Sequence, residues 1–173
     1  MKVFISGGCK NGKSMFGQRV AKKLAGDGPL YYVATMIPSD DEDIARIKRH
    51  LTERDGMGFT TIECGRDILN ALDGADTDGT FLLDSVTALL MNEISDSDYG
   101  SKCAGELAEF ARRVKNVVFV SDFIYSDAAE YDEFTEKFRE ALALCDRTLA
   151  SLCDSVVEVS ATNKTYYKGV EWE

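Results

Sequence analysis

The segment Gly7-Gly8-Cys9-Lys10-Asn11-Gly12-Lys13-Ser14 satisfies the pattern G-x-x-x-x-G-K-[ST] in full. A phosphate ligand needs residues of these types at this spacing. Gly7 and Gly12 permit backbone turns that a side chain would obstruct, so consecutive amides can point inward at phosphate oxygens. A helix starting at the end of the loop adds the positive end of its dipole. Lys13 can reach the β- and γ-phosphates of a nucleoside triphosphate, and the Ser14 hydroxyl can ligate Mg2+. Gly7, Gly8, Cys9, Lys10, Asn11, Gly12, Lys13 and Ser14 are therefore the candidate nucleotide-binding residues, with Lys13 also a catalytic candidate. The plainer reading, a glycine-rich turn with a lysine nearby, is disfavoured by the order strand, loop, helix around it.

Such a loop needs an acidic metal anchor at the end of a neighbouring strand. Phe81-Leu82-Leu83-Asp84 is an apolar run that ends in a carboxylate, which makes Asp84 the candidate partner of Ser14 on Mg2+. Asp122, after Val117-Val118-Phe119-Val120-Ser121, is a rival; motif context favours Asp84. Either could instead cap the next helix. A guanine-reading NKxD tetrad is missing, since Thr162-Asn163-Lys164-Thr165 lacks the aspartate. A GTPase switch is disfavoured accordingly.

His50 is the only histidine. Arg46, His50 and Arg54 follow at i, i+4 and i+8, so a helix over Asp41 to Arg54 puts them on one face. That face adjoins an Ile44/Ile47/Leu51 stripe expected to meet the core. Flanking arginines disfavour the protonated imidazole. A neutral imidazole can attack phosphorus while arginines stabilise the charge that develops. Spacing alone favours the plainer reading, a solvated basic face on an ordinary amphipathic helix.

The elements that must position these groups are legible from periodicity. Strands are expected at Lys2 to Ser6, Leu30 to Ala34, Phe59 to Glu63, Thr80 to Asp84, Val117 to Ser121 and Ser155 to Ser160. Helices are expected at about Ser14 to Leu24, Asp41 to Arg54, Asp67 to Leu72, Ser85 to Ile94, Ser101 to Lys115 and Tyr131 to Leu152. The alternation predicts an α/β fold with a largely parallel sheet. The polar tract Ser95 to Gly100 reads as a loop. Tyr31, Tyr32 and Phe4 read as strand packing, and Phe134, Phe138, Leu142, Cys145 and Leu149 as one helix face used for core or subunit packing. No linker divides the 173 residues, so one domain over residues 1–173 is expected.

Composition narrows the partners. Twenty basic against 30 acidic side chains leave a net charge of −10. That balance disfavours nucleic acid and anionic membranes without excluding a small phosphate ligand. No apolar run approaches the roughly 20 residues needed to span a bilayer, and Met1-Lys2-Val3-Phe4-Ile5 is too short for a signal-peptide core. Five cysteines without a CxxC pair point to a reduced, cytoplasmic chain rather than a secreted or zinc-bound one.

These pieces together resemble the bifunctional adenosylcobinamide kinase/adenosylcobinamide-phosphate guanylyltransferase family of cobalamin biosynthesis. Ser6-Gly7-Gly8 with Gly12-Lys13-Ser14 comes first, then Tyr32-Val33-Ala34-Thr35. Asp41-Glu42, Arg46-Ile47, His50 and Arg54 resemble the family's D-E-x-x-x-R-I-x-x-H-x-x-x-R helix. Leu82-Leu83-Asp84-Ser85-Val86-Thr87 and Asn92 resemble its L-L-[DE]-x-[LIV]-T-x-x-x-x-N element. The resemblance runs from Met1 to about Asn92. It implies a P-loop NTPase-like, three-layer α/β domain with a mostly parallel central sheet, often a homotrimer. It further implies that ATP or GTP phosphorylates the side-chain hydroxyl of a corrinoid, and that GMP then passes through His50 to the substrate phosphate. Lys13 and Ser14 would hold triphosphate and Mg2+, with Asp84 near the metal. Beyond Val120 the chain departs from the family's T-N-E-x-G-x-G-x-[VI]-P segment, reading Ser121-Asp122-Phe123-Ile124-Tyr125-Ser126-Asp127. Asp146-Arg147 stands where the family has Asn-Gln. The lost glycines are expected to change a loop near the substrate.

Two other functions fit the same residues. One is a P-loop kinase for a different small alcohol, and the other a nucleotide-binding protein that has lost catalysis.

Overall fold

Apolar runs too short for helices, each followed by an amphipathic stretch, fold into a sheet with helices on both faces. The computed structural model describes residues 1–94, 98, 100–125, 129–161 and 163–172, excepting the side chains of residues 42, 46, 50 and 53. Chain order is β1 (Lys2–Gly7), α1 (Lys13–Ala25), β2 (Leu30–Ala34), α2 (Asp41–Glu53) and β3 (Thr60–Glu63). A 3-10 turn (Ile68–Leu72), β4 (Thr80–Asp84), α3 (Val86–Glu93), α4 (Ser101–Arg113) and β5 (Asn116–Asp122) follow. The chain continues through α5 (Glu133–Leu152), β6 (Ser155–Ser160) and β7 (Asn163–Lys168).

The seven strands lie in the order β3-β2-β4-β5-β1-β6-β7. Every pairing is parallel except the antiparallel β6–β7 hairpin. From β1 the chain crosses β5 and β4 to reach β2, whereas β5 crosses β1 to reach β6. The C-terminal ends of β1, β4 and β5 therefore flank a point where connections diverge to opposite sides. Open parallel sheets bind their ligands at such a point.

Central strands are apolar on both sides because both sides are covered. On one face Val3, Ile5, Leu82, Val118 and Val120 meet Phe16, Val20 and Ala21 of α1. Gly17 brings α1 close. A Cβ there would lie 3.0 Å from Val120 Cγ2 and 3.2 Å from Leu82 Cδ1. On the other face Phe4, Leu83 and Phe119 pack under Leu89 of α3, Leu107 and Phe110 of α4, and Leu142 and Leu149 of α5. Ser85 and Asp132 cap α3 and α5 by accepting from Ala88 N (3.2 Å) and Thr135 N (2.8 Å).

All six expected strands form, and the predicted α/β architecture is the observed one. Four details differ. The Asp67–Leu72 stretch is a 3-10 turn, too short to hold α-helical bonds against its packing on α4. Strand β7 was not expected, because Asn163–Lys168 is polar; it is an edge strand, and edge strands carry such residues. Phe134 lies outside the packed face of α5, at 54% exposure. The Ile44/Leu51 stripe does not enter the core either, these residues being 42% and 47% exposed. Among the described residues, α2 has no extensive packing against any strand or helix. Of the loop read at Ser95 to Gly100, Ser95, Asp96, Ser97 and Tyr99 lie outside the described residues, as do Ser126 and Asp127 in the divergent segment.

Candidate nucleotide site

The loop between β1 and α1 is built by local sterics. Lys10 (φ 55°) and Gly12 (φ 89°) both adopt left-handed backbone, reversing the chain into α1. Gly7 lies against β6, where a Cβ would collide with the Val159 carbonyl and come within 2.6 Å of Asn11 Nδ2. Asn11 Nδ2 donates to the Val159 carbonyl, and Asn11 Oδ1 accepts from Lys13 N at 3.3 Å. The asparagine thus ties the loop's rim to β6. Cys9 is exposed on that rim.

Two carboxylates meet the start of α1, one from each neighbouring strand end. Lys13 Nζ lies 2.5 Å from Asp122 Oδ1 and donates to the Gly8 carbonyl at 3.2 Å. Ser14 Oγ donates to Asp84 Oδ1 at 3.3 Å. In sequence Asp84 and Asp122 are rivals for one task; the fold gives each its own partner. Adjacent ligand oxygens of an octahedral Mg2+ sit about 3 Å apart. Ser14 Oγ and Asp84 Oδ1 match that spacing and are both hard oxygen donors, so this pair fits the ion. Asp122, engaged by the lysine, is the counter-charge that holds the ammonium beside the loop.

Sequence patterns did not single out the residues that hold these strand ends. Tyr32 donates from its hydroxyl to Asp84 Oδ2 at 3.0 Å. Thr35, fully buried, accepts from Ser85 N and donates to Ser85 O, both at 2.7 Å. Asn92 Nδ2 bridges the carbonyls of Thr35 and Gly65 at 2.8 Å each. Thr87 Oγ1 accepts from Asp122 N at 2.9 Å. Tyr32, Thr35, Thr87 and Asn92 do belong to the segments that carried the family resemblance, and bracing the strand ends and loops after β2, β3, β4 and β5 is a structural reason for those residue types.

Beneath Asp122 lies a buried carboxylate. Asp146 of α5 accepts from Ser121 Oγ at 2.7 Å and from Tyr125 OH at 3.1 Å. Burial pushes its carboxyl up to about 6, against the two hydroxyl donors that favour ionisation, and the Asp122 charge adds to the rise. Burial and the Asp146 carboxylate push the Tyr125 phenol upward.

The residues expected on α2 fare differently. The side chains of Arg46 and His50 lie outside the described residues, and their backbone belongs to α2. Arg54 directly follows Glu53, the last residue of the helix. It is 7% exposed, with its guanidinium 3.8 Å over the Tyr32 ring and Nη2 donating to Thr61 Oγ1 at 3.3 Å. These contacts anchor Arg54 against β2 and β3.

The flagellar accessory protein FlaH from Methanocaldococcus jannaschii has a similar structure. Its identity is 14% and its TM-score 0.51, covering 97% of this chain and 78% of that one; the likeness concerns the fold. A second solved structure, an ATPase domain, has 10% identity and a TM-score of 0.48 over 91% of this chain and 68% of that domain. No sequence among curated proteins matches significantly. A family match does reach past the first half, where the sequence resemblance stopped, and through β6. Over residues 3–164 the chain belongs to the cobinamide kinase/cobinamide phosphate guanyltransferase family.

Proposed function

We propose that this protein phosphorylates the side-chain hydroxyl of a corrinoid and then transfers GMP to the resulting phosphate through His50. The observation that carries this reading is the pairing of Lys13 with Asp122 and of Ser14 with Asp84 at the divergent strand ends, in a chain of this family. The amides of Gly8 to Ser14 cradle the triphosphate. Lys13 leaves Asp122 for the β- and γ-phosphates, and Ser14 with Asp84 would hold Mg2+. The ion, when bound, neutralises charge on the separating phosphates. In the first reaction the substrate hydroxyl displaces the nucleoside diphosphate from the γ-phosphorus, its proton passing to a nearby carboxylate or water. In the second, a His50 nitrogen displaces pyrophosphate from the α-phosphorus of GTP. The substrate phosphate then displaces His50 and takes the GMP. Because the described residues show no extensive packing of α2 on another element, its approach to the loop need not sacrifice much buried apolar surface.

GTP labelled at the α-phosphate tests this. The wild type should retain an acid-labile label, His50→Ala should retain none, and Lys13→Ala should lose γ-phosphoryl transfer by at least about a hundredfold. A label that persists without His50 overturns the reading. A second reading, a kinase without the nucleotidyl step, draws on the segment Ser121 to Asp127, which lacks the family's glycines; it predicts γ-transfer and no label. The intact Lys13, Ser14 and Asp84 geometry argues against a protein that has lost catalysis. A reduced cytoplasmic setting and a homo-oligomer, with a trimer the family-like form, belong to the same proposal. No helix among the described residues is long and apolar enough to cross a membrane.

A further inference from the structure

Tyr32 looks like strand packing in sequence, yet it touches both halves of the proposed chemistry. It is 4% exposed, on β2 next to β4. Its hydroxyl holds Asp84 Oδ2 at 3.0 Å, so the other oxygen, Oδ1, is the one turned to Ser14. Its ring carries the Arg54 guanidinium at 3.8 Å on a face and meets the Phe59 ring edge-on at 5.9 Å. Arg54 in turn is the first residue beyond α2, the helix that bears His50 and that shows no extensive packing on another element among the described residues.

We propose that Tyr32 is a positioning residue that links Asp84, through Arg54, to the foot of the His50 helix, so that metal binding at the phosphate loop and the placement of α2 are coupled. The inference rests on the functional reading above and adds a residue to it. Two physical effects carry the link. A carboxylate pinned at one oxygen no longer rotates freely, and its second oxygen is offered to the metal at a smaller entropic cost. A cation over the face of a phenol draws electron density from the ring and makes its O–H a stronger donor, so that displacing Arg54 weakens the grip on Asp84. Coupling of this kind is reciprocal. Whatever draws α2 and Arg54 away must also loosen the metal.

The test measures binding of β,γ-imido-GTP to the full chain by calorimetry, in EDTA and in Mg2+, for the wild type, Tyr32→Phe and Arg54→Met. The readout is the factor by which Mg2+ raises affinity. Tyr32→Phe keeps the ring and removes one hydrogen bond to a charged acceptor. It should leave the EDTA affinity unchanged and shrink the Mg2+ factor about tenfold. Arg54→Met, although Arg54 touches neither Asp84 nor the loop, should shrink the same factor about threefold. Hydrogen exchange of the α2 amides should respond to Mg2+ plus the analogue in the wild type and lose that response in Tyr32→Phe. The proposal is overturned if the Mg2+ factor stays unchanged in both variants, including the case where they only melt earlier. It is also overturned if Arg54→Met weakens binding equally in EDTA, because that marks a direct phosphate contact. A wild type that binds the analogue with a Mg2+ factor but acquires no label from α-labelled GTP refutes the functional reading alone. A wild type with no Mg2+ factor refutes both.

Discussion

Replacing Asp146 by asparagine should make the protein more stable at neutral pH and leave it little changed in acid. The carboxyl is buried beneath Asp122 and stands at about 6 in the folded chain against an ordinary 3.8. The folded state therefore binds more protons than the unfolded state between those values, and stability must fall as pH rises through that window. The gap from 3.8 to about 6 corresponds to about 3 kcal/mol lost once pH is above both values. Asparagine carries no charge to bury, and its carbonyl oxygen can still accept from Ser121 or Tyr125. Its amide needs an acceptor that the carboxylate did not, which offsets part of the gain. The net expectation is about 1–3 kcal/mol at pH 7.5, dwindling toward zero near pH 4. Urea denaturation of both proteins at pH 4.5, 6 and 7.5 gives the difference directly, and other titrating groups cancel in it. A wild-type-to-variant difference that stays constant across this range would show that Asp146 does not titrate as its burial requires.

Two other outcomes follow from the same geometry. Asn92→Ala strands the carbonyls of Thr35 and Gly65 and should lower stability by about 1–3 kcal/mol, seen as a lower urea midpoint at unchanged slope; an unchanged midpoint contradicts the bracing role. Cys9, exposed on the loop's rim, should be alkylated by iodoacetamide about a hundredfold more slowly when Mg2+·nucleotide is present at 100 times its dissociation constant. Equal rates with and without nucleotide would place the ligand elsewhere.

Residue order alone settles the strand–loop–helix unit around Gly7 to Ser14, the positions of six strands and the family. These rest on local facts: a run of alternating or continuous apolar residues sets a strand, glycines set a turn, and a Lys-Ser pair after them sets the phosphate chemistry. Local rules failed where a residue's neighbours come from distant segments. Motif context favours Asp84 over Asp122 as the strand-end carboxylate, but only when β4, β5 and β1 lie in one sheet does one meet Ser14 and the other Lys13. Arg54 keeps helical spacing with His50 in sequence, and only the fold shows its guanidinium lying over the Tyr32 ring. Tyr32 and Asp146 read as packing and as a plain substitution, because what makes each matter is a partner 52 residues away for the first and 25 for the second. Spacing along a chain fixes which residues can share a helix face or a turn. Which side chains share a charge or a proton is settled by the sheet that brings their strands together.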